Sequence, residues 1–505
     1  LILIPITATL LSVFYLSTKS TEKKGLKEIP YPPHVINWPI FGHLFSLGNS
    51  PSKQVGQWHK ELGPIFKIKM GNQLWVIIGD PFLAHEIFVK KGSSTSSRPY
   101  HRFNVKIYGK NSRGISFIHY DDKWKKKRKA AMSILDPSSV DKFSDLLEAE
   151  TDHLMNRFTQ ISQSGESVDP FQELQLTSMN VIVSVCLAIR FESTKDPTFK
   201  AIHEFQDKAL MYGGAASDVG SFLPSLGWID FFTGIEKKLY KFVHENRDIL
   251  YEELITDALK RKEHSLIKDL YQMKDEGLID KDDILVFLSD LIGAGTDTIA
   301  ISLYWTFAIL SQYPHVQTKL IKELDTWKAK HPPHLVPNFN QHRDDFPYSI
   351  CVQKEVMRFR PGTSFGLSHY STEDILVDGY FIPKGSVLLS HMPTLHMSQN
   401  FYKDPQLFRP ERFFKNTKKM RVAANAKIGE RDHFNFGWGR RICPGIHLAE
   451  NQVFNFYVRF FSKFTIEPGL DIQGNPVKID LNHYDKEGIT SKPAPCTFRI
   501  VPRRV

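Results

Sequence analysis

The chain has 505 residues, 41% of them hydrophobic and 24% charged, and its formal net charge is +10. This composition indicates a folded protein with a large core and excludes collagen-like, disordered and low-complexity chains. The positive balance favours acidic proteins or anionic lipid surfaces as partners. Nucleic acid does not fit, because the basic residues are spread along the chain and form no nucleic-acid-binding motif. The four cysteines are too few and too far apart for a disulfide framework or a thiolate metal cluster.

An apolar run, LILIPITATLLSVFYL, occupies residues 1–16, and four lysines follow it before residue 28. A membrane-spanning helix requires about 20 apolar residues, and flanking positive charge stays on the cytoplasmic side. The alternative is a cleaved signal peptide, which would carry its positive charge before the apolar run and a small-residue cleavage site after it. We therefore expect a transmembrane anchor over 1–18, a basic and proline-rich linker over 19–39, and one large domain over 40–505.

Helical periodicity covers most of the large domain, and strand patterns are few. Residues 65–81 alternate and are rich in β-branched residues around a Gly71-Asn72 turn, and 375–392 is a second strand region with a turn at Asp378-Gly379. The expected fold class is mainly α with a small β region in one compact body. Amphipathic helices are predicted over 136–160, 170–190, 235–262, 280–312, 315–330 and 347–360.

The helical stretch LIGAGTDTIAIS, residues 291–302, contains two interior glycines and two polar residues in an apolar stripe. Interior glycines cost about 1 kcal/mol each relative to alanine, so they predict close approach of a flat cofactor and a small ligand to the backbone. Thr298 supplies a hydroxyl beside the acid Asp297, which suits proton delivery from solvent into a water-poor site. The alternative is an acid on a solvated face and a threonine bonded to its own helix. These residues alone leave both interpretations open.

Two further segments carry charged residues at defined spacings. In KEVMRFRP, residues 354–361, Glu355 and Arg358 lie three positions apart on one predicted helix face, a spacing that is common in helices. Arg412 follows in a Pro-Glu-Arg-Phe unit within DPQLFRPERF, residues 404–413.

The stretch FNFGWGRRICPGIHLAE, residues 434–450, surrounds one cysteine with glycines and arginines. Pro444 suits the first turn of a helix, so we expect Cys443 at or near the helix N-cap, where the positive helix end lowers the pKa of a thiol. The glycines would let the backbone pack against a broad, flat group, and Arg441 would bind a carboxylate of that group. Such a thiolate suits the axial position of haem iron, and the alternative is a glycine-rich turn with an incidental cysteine.

These motifs resemble those of the cytochromes P450, the haem-thiolate monooxygenases. FGWGRRICPG looks like their haem-binding loop, and LIGAGTDT is similar to their (Ala/Gly)-Gly-x-(Asp/Glu)-Thr motif in helix I. The Glu-x-x-Arg and Pro-Glu-Arg-Phe units follow in the family's order, and residues 364–386 resemble its fungal, microsomal branch. The likeness runs over about 30–450 and implies the cytochrome P450 fold.

The resemblance also assigns roles. It implies haem b (iron protoporphyrin IX) with Cys443 as the metal ligand, and Asp297 and Thr298 as the catalytic proton-delivery pair. Glu355, Arg358 and Arg412 would support the haem loop without contacting substrate. The other residues that it places at the cofactor are Trp124, Arg128, Ala294, Gly295, His369, Phe436, Gly437, Arg441 and Gly445.

The implied reaction inserts one oxygen atom of O2 into a lipophilic compound such as a steroid, terpenoid, fatty acid or xenobiotic. Because no dinucleotide-binding motif occurs, electrons would come from NADPH through a separate NADPH–cytochrome P450 reductase, with cytochrome b5 left open as a second donor. The protein would be a monomer in the endoplasmic reticulum membrane, with its catalytic domain facing the cytoplasm. The reductase would dock on basic residues that could alternatively only solvate a loop: Lys415, Lys418, Lys419, Arg421, Lys427 and Arg440.

By the same resemblance, five segments would line the substrate cavity: 99–119, 205–232, 287–293, 363–367 and 488–489. Two other functions remain as alternatives. A haem-thiolate isomerase or dehydratase would not require the pair Asp297 and Thr298, and a non-catalytic haem carrier would require neither this pair nor an apolar cavity.

Overall fold

The computed structural model describes residues 25–214, 219–223, 232–485 and 489–503. The expected anchor over 1–18, the start of the linker and parts of the cavity segments 205–232 and 488–489 therefore lie outside the described residues.

Helices dominate and strands form small sheets, as the sequence predicts. The α-helices are α1 (Pro51–Leu62), α2 (Pro81–His85), α3 (Gly92–Thr95), α4 (Asp122–Leu135), α5 (Pro137–Lys142), α6 (Ser144–Ser164), α7 (Phe171–Leu187), α8 (Pro197–Tyr212), α9 (Val219–Phe222), α10 (Ile235–Val243), α11 (Ile249–Lys260), α12 (Leu266–Asp275), α13 (Lys281–Leu310), α14 (Pro314–Lys328), α15 (Phe339–His342), α16 (Pro347–Phe359), α17 (Met392–His396), α18 (Met420–Ala424) and α19 (Ile446–Lys463).

The largest sheet joins distant parts of the chain. Its strand order is β1-β2-β6-β3, in which β2 pairs with β1 antiparallel and with β6 parallel. Gly71 forms the predicted turn between β1 and β2 with a φ of +57°, and a Cβ there would lie 2.2 Å from the Phe222 carbonyl oxygen. The strands are β1 (Ile65–Met70), β2 (Gln73–Ile78), β3 (His369–Tyr370), β4 (Ile375–Val377), β5 (Tyr380–Ile382), β6 (Val387–Ser390), β7 (Phe464–Pro468) and β8 (Phe498–Pro502).

Most predicted helices are present, and one is divided. The helix expected over 136–160 breaks into α5 and α6 because the Phe143 backbone, with a φ of −94° and a ψ of 9°, leaves the helical conformation. Asp136 caps α5 by accepting from Ser138 N at 3.0 Å. The helix expected over 235–262 is continuous, with a π-helical turn at His244–Asp248 between α10 and α11. The antiparallel pair β7–β8 was not predicted.

Helix α13 is the central helix of the core. Asp280 caps it by accepting from Asp283 N at 2.8 Å, and nearly all of its side chains are buried. By length and composition it is the helix among the described residues that could cross a membrane, but 78% of its apolar window is buried inside the protein. It therefore packs as a core helix, with α7 alongside it.

The described part of the predicted linker packs on the body. Lys27 pairs with Tyr380 of β5, and its Nζ lies 3.0 Å from Asp378 Oδ2. Lys67 of β1 donates its N–H to the Pro30 carbonyl at 2.9 Å. Residues 27–30 of the linker are thus attached to the sheets.

Candidate functional site

Cys443 lies between a short 3-10 turn, Gly439–Arg441, and the first residue of α19. Its N–H donates to the Phe436 carbonyl at 2.8 Å, and the Gly445 N–H donates to its Sγ. The N-cap of α19 is Gly445, so Cys443 precedes the cap by two residues, close to the expected position. A backbone amide therefore faces the sulfur.

The expected low pKa of this thiol is not found. Burial raises the pKa of Cys443 above its ordinary value, and the Gly445 N–H and the Arg128 charge oppose this increase only in part. Removal from water therefore outweighs the helix end and the nearby cation. The sequence motif predicted a helix end near the sulfur but does not contain the cost of burying the charged sulfur.

The glycines of the cysteine loop, residues 436–445, serve different purposes. A Cβ on Gly439 would lie 2.4 Å from the Phe88 carbonyl oxygen, so Gly439 allows the loop to pack on a neighbouring backbone rather than on a cofactor. Gly437 has a φ of +75°, and a Cβ there would meet nothing closer than 4.0 Å. Gly437 is accordingly the glycine that leaves space beside the loop.

The middle of α13 opens on one side. Ala294 and Thr298, one turn apart on the same face, are exposed, whereas most of their neighbours along the helix are buried. Thr298 Oγ1 donates to the Ala294 carbonyl at 2.8 Å. This is the bond within the helix that the alternative interpretation of Thr298 expects. Gly295 does not face this opening, because a Cβ there would lie 2.4 Å from Ile182 of α7. The prediction that Gly295 admits a flat cofactor is wrong, since it allows two helices to pack closely.

Asp297 faces α7 instead of the opening beside Thr298. Its Oδ1 accepts from Gln175 Nε2 at 2.8 Å, and its buried Oδ2 has no hydrogen-bond partner. Burial raises the pKa of Asp297. The same Gln175 amide lies 3.3 Å from Nδ1 of His203, which is partly exposed on α8. Gln175 and His203 thus connect Asp297 to a partly exposed side chain of α8, and the sequence suggested neither residue.

Three arginines gather close to the cysteine loop, and their hydrogen bonds go to backbone carbonyls. Arg441 Nε donates to Ser96 O at 2.7 Å, Arg98 Nε donates to Ser116 O at 3.0 Å, and Arg128 donates to the carbonyl of Ile442. Within the described ranges no ion pair joins them to an acidic side chain. Burial, and then the repulsion between these cations, lowers the pKa of Arg441 to about 8 and that of Arg98 to about 9. Clustered cations without a counter-ion form a site for an anion. Arg98 was not identified from the sequence.

Trp124 and His369 lie beside this cluster. Trp124 Nε1 donates to the Ile115 carbonyl at 3.1 Å, and the Arg441 guanidinium lies 4.4 Å from its ring centroid. His369 Nδ1 lies 2.6 Å from the Thr95 carbonyl. Burial, followed by the charge of Arg98, keeps the pKa of His369 well below its ordinary value. The structure thus brings both predicted residues to the arginines.

Glu355, Arg358 and Arg412 form one buried network of ion pairs. Glu355 Oε2 lies 2.7 Å from Arg358 Nε and 2.9 Å from Arg412 Nε. A second buried ion pair, which the sequence did not suggest, joins Lys354 to Asp432 at 3.1 Å. Both pairs connect α16 to the segments that precede the cysteine loop.

Two cavities lie beside the arginine cluster. One of about 230 Å³ is lined from Arg98 to His119, and one of about 70 Å³ continues to Phe222, Phe365 and Ile489. Their walls include residues of four of the five predicted cavity segments. Aromatic and aliphatic side chains dominate the lining of the smaller cavity, whereas charged and polar residues such as Arg98, Lys106 and Asn111 share the lining of the larger one. The predicted helical segment 287–293 does not contribute to either cavity.

A mainly helical domain with a cysteine in a glycine-rich loop, close to clustered cations, is the arrangement of thiolate-ligated haem proteins. The family model described as Cytochrome P450 matches residues 31–489, and the chain belongs to that family. It is accordingly an oxygen-incorporating oxidoreductase.

The curated relatives agree with this family. A cytochrome P450 monooxygenase of Armillaria gallica is 29% identical over 94% of this chain and 90% of its own length. The 3-hydroxyphenylacetate 6-hydroxylase of Emericella nidulans is 24% identical over 92% of this chain and 87% of its own. Cytochrome P450 1A1 of Felis catus is 26% identical over 94% and 91%.

The residues present fit the haem that this family carries. Arg98, Arg128 and Arg441 offer positive charge to its two carboxylates, and the Cys443 thiol offers a ligand atom with an amide donor beside it. The exposed Ala294 presents a small apolar surface on the core helix.

Proposed function

We propose that the chain is a membrane-anchored haem-thiolate monooxygenase that inserts one oxygen atom of O2 into a lipophilic organic substrate. Electrons would come from NADPH through a separate reductase. The observation that carries this proposal is the environment of Cys443, whose Sγ receives an amide donor and has the Arg128 charge nearby.

Cys443 would hold the iron of haem b, and Arg98, Arg128, Arg441, Trp124 and His369 would hold its carboxylates. When bound, haem b supplies the iron at which dioxygen is activated. The two haem carboxylates would replace or supplement the backbone carbonyls as partners of these arginines. Their negative charge would relieve the repulsion between the three guanidinium groups. Phe436, Gly437, Gly445 and Ala294 would border the group.

Thr298 and Asp297 would control protons. The Thr298 hydroxyl donates to Ala294 O, so its oxygen can accept a proton donor such as water from the open side of α13. One carboxylate oxygen of Asp297 has no hydrogen-bond partner. Asp297 would exchange protons with solvent on the side of α13 where Gln175 and His203 lie. The buried surroundings would exclude water from all other directions.

A lipophilic substrate is supported by the aromatic and aliphatic lining of the smaller cavity, near Phe117 and Phe365. A steroid, terpenoid, fatty acid or xenobiotic would suit such walls. The substrate would approach the opening at Thr298 from this side of the molecule.

Membrane attachment is supported by the apolar run at 1–16 and by apolar side chains downstream of it. Ile36, Trp38, Ile40 and Phe45 are 61%, 47%, 59% and 62% exposed, a concentration that suits contact with lipid. The protein would be a monomer anchored in the endoplasmic reticulum membrane with its domain on the cytoplasmic side.

An acidic flavoprotein, NADPH–cytochrome P450 reductase, would dock on the basic surface that precedes the cysteine loop, and cytochrome b5 would share that surface. Lys415, Lys419 and Lys427 are exposed there, whereas Lys418 is paired with Glu430 at 2.9 Å. Complementary charge of this kind accelerates and orients docking.

The first experiment is the absorbance difference spectrum of the reduced protein with and without carbon monoxide. A strongly red-shifted Soret band, lost in Cys443→His and kept in Cys496→Ser, is the expected result. Cys496 is a matched control because it is also a partly exposed thiol. A short-wavelength band in properly folded wild-type protein would overturn the proposal. NADPH consumption with lipophilic compounds then separates a monooxygenase from a haem carrier.

A further inference from the structure

A carboxylate on α13, that of Asp290, holds the loop formed by residues 114–119. Asp290 Oδ2 accepts from Ile115 N at 2.8 Å and from Ser116 N at 3.1 Å. Asp290 as a whole is only 6% exposed. Gly114 has a φ of +75°, and a Cβ there would lie 2.6 Å from Asp290 Oδ2. The glycine therefore admits the carboxylate to the start of the loop.

The carbonyls of the same loop are the acceptors for the arginine cluster. Arg98 Nε donates to Ser116 O at 3.0 Å, and Arg441 donates to Ile115 O at 3.2 Å and also to the carbonyl of Ile118. The amides of the loop thus bind Asp290, while its carbonyls bind two of the three cations. Trp124 Nε1 also donates to the Ile115 carbonyl, at 3.1 Å.

We propose that Asp290 is a positioning residue that sets the Arg98 and Arg441 guanidinium groups through the backbone of the 114–119 loop. Without it, the loop loses the acceptor for two consecutive amides, and a buried unpaired N–H is strongly disfavoured. The loop then shifts, and its carbonyls no longer align both arginines. The anion site consequently weakens although no residue that contacts the anion has changed.

The identity of the anion as a haem carboxylate rests on the proposed function, whereas the role of Asp290 in the loop does not. Asp290 also lies four and eight residues before Ala294 and Thr298, on the same face of α13. The helix that borders the opening is thereby attached to the cations of the anion site through one short loop.

Two substitutions in the full-length protein separate the roles of acceptor and charge. Asp290→Asn keeps an oxygen acceptor for the two amides, and Asp290→Leu removes it. Hydrogen–deuterium exchange of the 114–119 segment and the rate of haem transfer to excess apomyoglobin are measured for each. We expect Asp290→Leu to accelerate both by about tenfold or more, and Asp290→Asn to remain within about threefold of wild type. Ser302→Ala, at a partly buried position about three turns further along the same helix, is the matched control and leaves both unchanged.

Gly114→Ala provides a second route if Asp290→Leu does not fold, because its Cβ displaces the carboxylate from the loop. It is expected to have the effects of Asp290→Leu. The proposal would be overturned if these variants exchanged the 114–119 amides faster but released haem at the wild-type rate. It would also be overturned if their amide exchange in this segment were unchanged. Wild-type protein that binds no haem would instead refute the proposed function, and the exchange measurement alone would then decide whether Asp290 holds the loop.

Discussion

The Phe88 carbonyl oxygen approaches Gly439 so closely that a Cβ atom on residue 439 would lie 2.4 Å from it. Gly439 also has a φ of +51°, in the left-handed region. The cysteine loop can reach the backbone at Phe88 only because residue 439 has no side chain. This contact attaches the loop to the first third of the chain.

Gly439→Ala should therefore destabilise the protein more than Gly437→Ala. Both substitutions carry the left-handed backbone cost of about 1–2 kcal/mol. Only Gly439→Ala adds a steric clash, worth about 1–3 kcal/mol. Thermal unfolding of the two variants checks this, with haem content as a second measurement. Equal losses in melting temperature would show that the Phe88 contact has no energetic weight.

Glu355→Gln should lower the free energy of unfolding by about 3–5 kcal/mol, because it leaves the cations Arg358 and Arg412 without their buried counter-ion. The matched control is Glu467→Gln, which breaks an exposed pair with Arg499 and should change stability by about 0–1 kcal/mol. Denaturant unfolding measures both. A loss for Glu355→Gln no larger than that of the control would contradict the buried network.

Asp297→Asn should stabilise the folded protein at neutral pH. Burial raises the pKa of Asp297 in the folded state, so folding favours the protonated acid and stability falls as pH rises through the folded pKa. The amide resembles that neutral form and can still accept from Gln175. The gain in melting temperature over wild type should be largest above the folded pKa and vanish below about pH 4, where both forms are neutral. A gain that is the same at pH 4 and pH 8 would contradict this origin.

Thr298→Ala should leave the fold and the carbon monoxide spectrum unchanged, because the side chain is exposed and its hydrogen bond is internal to α13. Product formation per NADPH consumed should fall about tenfold or more, with hydrogen peroxide released, since no hydroxyl holds the proton donor. Thr298→Ser keeps the hydroxyl and should retain most of the coupling. Undiminished product formation in Thr298→Ala would favour a haem-thiolate isomerase or dehydratase.

Charge reversal at Lys415 and Lys427 should weaken reductase binding by about tenfold at low salt, and the effect should shrink as ionic strength rises. Both lysines are exposed on the basic surface, whereas reversal at Lys418 would also break its pair with Glu430. Lys200→Glu, an exposed change on α8, is the control. Titration of the reductase at two salt concentrations measures the affinities. If wild type, the variant reversed at Lys415 and Lys427, and Lys200→Glu all bind the reductase with equal affinity, this surface is not the docking site.

Local patterns predicted the helices and the β1–β2 turn because periodicity and turn residues act within a few positions. Contacts between distant segments were not predictable in the same way. The Gly295 prediction failed because its partner, Ile182, is on another helix. Arg98 was missed because two of its acceptors, the carbonyls of Leu367 and Ser368, lie about 270 residues away. The raised pKa of Cys443 likewise depends on burial, which a linear motif does not contain.

The parallel pairing of β2 with β6 has a consequence for synthesis of the protein. Trp75 is in register with Val387, so roughly 300 residues must leave the ribosome before the main sheet can close. During that interval the β1–β2 hairpin presents an unpaired edge to other chains. We therefore expect nascent-chain aggregation, and dependence on holding chaperones, to be greatest for chains stalled before residue 387 and to decline once β6 has emerged.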